Sequence, residues 1–171
     1  MKQVIVRDSE LRKAAEKGMD DFLQVFINRI KGSIGGEITT ESMSELNSDQ
    51  ITLLAYDLLR TEVMDGGFVQ LIYNGYGGFI FLNPFAKALK YWGMRDLSKL
   101  IYEAHTLYNK YREMIERDCS DDEFMALFEK CPEFDDLDDI FVENEEFYTE
   151  QVASYVDQHI DKFATVEYDD M

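Results

Sequence analysis

Few residues in this chain have the types and spacing that chemistry requires. His105 and His159 are the only histidines, and neither has a Glu three positions earlier, as the Glu-x-x-His element of di-iron bundles would need. A His-Glu-x-x-His zinc pattern is also absent. Cys119 and Cys131 lie twelve apart with no second pair, which fits neither a disulfide framework nor a zinc finger. The segment from Asp118 to Glu129 places acids at positions 1, 5 and 12 of a calcium loop. Position 6, which needs Gly for the sharp turn, is Glu123, so a capped helix is the better reading. His159 projects beside Tyr155 and Phe163, and His105 sits among Tyr102, Tyr108 and Tyr111; aromatic packing is favoured over ligation or base chemistry for both. The residues point to no catalytic group, no metal and no cofactor.

The stretch EVMDGGFVQLIYNGYGG (62–78) holds five of the ten glycines and invites comparison with phosphate-cradling loops. Gly75, Gly77 and Gly78 lack the third glycine of a dinucleotide fingerprint and the Gly-Lys-Ser/Thr ending of a phosphate loop, and they follow a helix rather than a strand. Gly66 and Gly67 come directly after an amphipathic run, where a left-handed residue commonly ends a helix. A structural turn is therefore expected, with Asp65 capping the next helix and Phe68 supplying a buried contact. Gln70 and Asn74 lie four apart, so their amides share a face and can bond each other or the turn's free carbonyls.

The elements that carry these residues read as helices throughout. There are only two prolines, and apolar residues recur at helical rather than strand spacing. One stripe runs from Ser9 to Lys31 through Leu11, Ala14, Ala15, Met19, Phe22, Phe26 and Ile30, with Gly32 as its stop. Residues 32–46 read as a loop. Asn47 with Gln50, and Ser120 with Glu123, are capping boxes; Asn83–Pro84 starts another helix and Gly93 follows its end. A long helix follows through Leu97, Ile101, Tyr108 and Ile115. A last helix is expected to reach about Phe163. The chain divides into an N-terminal helix and loop (1–46) packed on the core, a helical body (47–165) and a frayed acidic tail (166–171). The expected fold class is all-α, a single compact multi-helix domain with an acidic C-terminal segment. The start shows no secretory signal and no stretch is apolar enough to span a bilayer, so a cytoplasmic protein is expected.

The formal charge of −18 is distributed unevenly. Residues 1–117 carry 16 Asp/Glu and 15 Lys/Arg, whereas residues 118–171 carry 19 Asp/Glu and only Lys130 and Lys162 as cations. Such a surface repels nucleic acid and anionic membranes and attracts basic partners, most strongly at low salt.

The motif EV-x-D-GGF-x-Q-x-x-x-N, with ALKYWGM (88–94), LDDIF (137–141) and the set Tyr155, His159 and Phe163, resembles a family of bacterial helical domains. The family is named after a nineteen-kilodalton DNA-mimic protein, and most of its members are of unknown function. The resemblance runs from about residue 47 to residue 165. Asp65 stands where that family often has Asn. The resemblance implies an all-α fold, the capacity to form a homodimer and, in one characterised member, occupation of a transcription factor's DNA-binding surface.

A helical projection of residues 143–161 sets Glu143, Glu146, Glu150, Asp157 and Asp161 within roughly 60°, opposite an apolar face. The row would be roughly 27 Å long, about eight base pairs at the phosphate spacing of one strand. Asp135, Asp136, Asp138 and Asp139 would extend the charge beyond the helix start. Fixed carboxylates can replace phosphates because phosphate contacts supply much of a DNA-binding protein's affinity. The leading expectation is a non-enzymatic binder of a basic, DNA-binding protein such as a transcription factor, with no direct contact to nucleic acid. The alternatives are an immunity- or antitoxin-like neutraliser of a basic nuclease, and a carboxylate- or metal-dependent enzyme with its site near the Gly-rich turn.

Overall fold

In chain order the elements begin with β1 (Ile5–Arg7), α1 (Asp8–Lys17), α2 (Met19–Ser33), α3 (Thr40–Met43) and α4 (Ser48–Tyr73). They continue with α5 (Gly77–Phe81), α6 (Phe85–Tyr91), α7 (Arg95–Ile115) and α8 (Asp121–Lys130). The last are α9 (Glu133–Gln158), α10 (Ile160–Phe163) and β2 (Thr165–Glu167). This computed structural model describes residues 3–169. The class is all-α, with one two-stranded sheet among the described residues. Two compact units emerge: the chain up to Leu54 together with the chain from Phe147, and the stretch Ala55–Glu146.

In the first unit the expected single N-terminal helix is two. Gly18 adopts φ 140° and ψ 175°, which ends α1 and starts α2. The apolar spacing of three and four continues from Leu11 through Met19 to Ile30 across this break, so periodicity alone does not reveal it. A short helix, α3, stands inside the expected loop and is boxed by Thr39 and Ser42. The next capping box forms as expected, Asn47 N–H donating to Gln50 Oε1 and Gln50 N–H to Asn47 Oδ1. Both side chains also donate to the chain end, Asn47 to the Lys162 carbonyl at 2.7 Å and buried Gln50 to the Phe163 carbonyl at 2.9 Å. These bonds, with Phe163 buried edge-on against Phe26, hold the C-terminal segment in place. Beyond it the chain does not fray at residue 166: Thr165–Glu167 pairs in parallel with Ile5–Arg7, and Asp169 meets Arg7 at 3.4 Å. Asp170 and Met171, the rest of the expected tail, lie outside the described residues.

The second unit is built around Phe68, Phe134 and Phe141, all fully buried. Burial of each such ring stabilises by about 1.5–3 kcal/mol. Phe68 stacks on Phe134 and meets Phe81, which in turn contacts Tyr108 and His105. Helices α5 and α6 lie against α7, where Ser98 of α7 donates to the Ala86 carbonyl of α6. Gly75, at φ 90°, ends α4, and a Cβ on Gly77 would strike the Tyr108 ring. The Ser120–Glu123 box opens α8 at the segment that resembled a calcium loop.

Candidate partner-binding surface

Helix α9 starts at Glu133, just after Pro132, so Asp135, Asp136, Asp138 and Asp139 belong to the helix rather than to a preceding segment. In the second unit α9 has two faces. Phe134, Leu137 and Phe141 are buried and fix which side turns inward. Asp135, Asp136, Asp139, Glu143 and Glu146 are exposed. At about 100° per residue these five fall within a sector about 100° wide, and from Asp135 to Glu146 they cover about 16 Å of helix. None of them makes a hydrogen bond or ion pair among the described residues. Unpaired carboxylates on one rigid helix form a field that a cationic surface can meet with little side-chain rearrangement.

Two acids of the same helix turn inward and serve the fold. Glu145 is 9% exposed and pairs with Arg60 at 2.5 Å. Asp138, expected in the acidic row, accepts the Phe68 N–H at 2.8 Å. Burial pushes the Asp138 carboxyl up to about 7, aided by the neighbouring Asp135 and Asp139 charges and opposed by the Phe68 hydrogen bond. Asp138 and Glu145 are seven apart, like Phe134 and Phe141. That spacing marks their inward side once the helix start is placed at Glu133.

The Gly-Gly-Phe turn is the other half of this contact. Gly67 takes φ 78° and ψ −176° inside α4, leaving the Phe68 N–H without an intrahelical acceptor. The Asp138 carboxylate supplies that acceptor, and a Cβ on Gly67 would collide with it. Asp65, the expected cap, instead accepts from the Gln70 amide at 2.9 Å. Gln70 and Asn74 do share a face, but they converge on Glu62 rather than on each other: its Oε2 accepts from Gln70 at 2.9 Å and from Asn74 at 3.0 Å. The Gln70 side chain lies over Gly66, where a Cβ would displace it. Glu62 stands at the head of the sequence motif, yet only the fold reveals it as the shared acceptor.

In the first unit α9 continues with Glu150 and Asp157 exposed, opposite buried Tyr148, Val152 and Val156. The helix ends at Gln158. His159, at φ −137° and ψ 37°, breaks it, and the exposed Asp161 lies on α10. Asp161 therefore leaves the helical row that a 143–161 projection gives it. His159 stacks on Tyr155 with ring centroids 4.1 Å apart, and its Nδ1 lies 2.8 Å from the Tyr155 carbonyl, in keeping with a packing histidine. Among the described residues no three His, Cys, Asp or Glu side chains group as a metal site, and no helix is long and apolar enough to cross a membrane.

A family model described as DMP19-like protein matches residues 44–159. The chain is also 35% identical over 127 residues to the DNA mimic protein DMP19 of Neisseria meningitidis serogroup B, an alignment covering 74% of this chain and 77% of that protein.

Proposed function

Because this chain belongs to the DMP19-like protein family, we propose that it is a DNA mimic whose exposed carboxylates occupy the basic surface of a DNA-binding protein. The observation that carries this reading is the outward face of α9 in the second unit, five exposed acids on one helix with no internal partner. A relative that is a DNA mimic by name supports it. The expected partner is a transcription factor or a protein of similar DNA-binding chemistry, met in the cytoplasm. Glu150, Asp157 and Asp161 of the first unit add to the same acidic character.

Phosphate mimicry makes a particular demand on the energetics. Each carboxylate gains little alone in water, and the attraction is screened over about 8 Å at physiological ionic strength. Affinity must therefore come from several charges acting together, and it must fall steeply as salt rises. The test is capture of proteins from a native lysate on the immobilised chain, eluted by a salt gradient. A quadruple variant Asp135→Asn, Asp139→Asn, Glu143→Gln, Glu146→Gln serves as the control. The reading predicts a DNA-binding protein retained by the wild type, released by salt and lost from the variant. Equal retention by the variant would refute it, as would recovery of neutral or acidic proteins alone.

A further inference from the structure

The first unit holds a groove of about 440 Å³ whose two sides differ in chemistry. Its lining includes apolar Ala15, Met19 and Phe22 of the α1–α2 elbow and Ala153 of α9. Its rim carries Glu150 and Asp157, both exposed and without hydrogen bond or ion pair among the described residues. The elbow exists because Gly18 breaks the N-terminal helix, and it lies before residue 44, where the family match starts.

We propose that this groove receives a basic amphipathic helix of the partner, with arginines reaching Glu150 and Asp157 and an apolar residue between them seated on Met19, Phe22 and Ala153. The spacing sets the register. Glu150 and Asp157 are seven residues apart, two helical turns or about 10 Å, which matches two cations seven apart on a facing helix. Arginine suits the rim because its fork can bond a carboxylate with two N–H groups while its stem covers apolar surface. A row of phosphates offers no apolar lining, so this contact selects a protein helix by more than its charge. The proposal rests on reading the acidic surface as a site for a basic protein. It adds that residues outside the family match build one wall of this first-unit groove and so bias which helix it accepts.

The test uses a synthetic helical peptide with two arginines seven positions apart and leucines between them, titrated against the whole chain by fluorescence anisotropy. A second peptide replaces the leucines with serines at equal charge. The leucine peptide is expected to bind at least tenfold tighter than the serine peptide. Affinity should fall at least tenfold in the double variant Glu150→Gln, Asp157→Asn. It should fall as much in Ala15→Arg, which places a cation and its stem in the groove from an exposed position; circular dichroism and thermal melting would verify that each variant is folded. Equal affinity for the two peptides, no saturable binding, or full binding by Ala15→Arg would overturn the proposal. Any of these would leave the second unit's acidic face, tested by its own quadruple variant, standing or falling by itself.

Discussion

Asp138 and Asp139 are chain neighbours of identical chemistry, and α9 gives them opposite roles. Asp139 faces water without a partner, whereas Asp138 turns inward and closes the Phe68 N–H that Gly67 leaves open. The same division separates Glu145, paired with Arg60, from Glu146, which is exposed. An acidic helix of this kind cannot be read as a uniform charged rod: Asp138 and Glu145 hold the fold, whereas Asp135, Asp136, Asp139, Glu143 and Glu146 face outward without a hydrogen bond or ion pair among the described residues.

Variants that erase this division should rank by how deeply they cut into the inward face. Gly67→Ala should be the most damaging, because it meets both the positive φ and the Asp138 carboxylate; a loss of about 3 kcal/mol is expected in urea unfolding. Asp138→Ala should cost about 1–2 kcal/mol by stranding the Phe68 N–H, whereas Asp138→Asn keeps an acceptor and should lose much less. If the alanine and asparagine variants unfold at the same urea concentration, the hydrogen bond contributes little.

Titration sharpens the comparison further. The folded Asp138 carboxyl lies near 7 and its ordinary value is 3.8, so burial favours the protonated form. Its contribution to stability is fully present below about pH 4 and is lost as pH rises through about 7. Stability measured from pH 5 to pH 8 should therefore decline less in Asp138→Asn than in the wild type; parallel profiles would contradict this assignment. The smallest effect on stability belongs to the outward face. The quadruple variant at Asp135, Asp139, Glu143 and Glu146 should stay within about 0.5 kcal/mol of the wild type, or gain stability through relieved repulsion.

How much of this was legible in the sequence depended on distance along the chain. The boxes at Asn47–Gln50 and Ser120–Glu123 are local, three residues across, and the structure forms both. The all-α class followed from apolar spacing in the same way. The acceptor for Phe68 lies seventy residues away, and no local pattern connects it to Gly67. The pairing of Thr165–Glu167 with Ile5–Arg7 is equally non-local, which is why the tail read as frayed. The Gly18 break was masked by a stripe that continues across it, and a helix start placed ten residues late concealed the inward side that Asp138 occupies.

The most direct test of the central claim is competition at the partner's DNA site. The DNA-binding protein recovered by capture would be bound to a labelled duplex, and the chain titrated in while fluorescence polarisation follows release of the DNA. The wild type should displace the duplex to completion, and the variant neutralised at Asp135, Asp139, Glu143 and Glu146 should fail at equal concentration. A ternary complex that keeps the DNA bound, or equal displacement by the neutralised variant, would contradict the account.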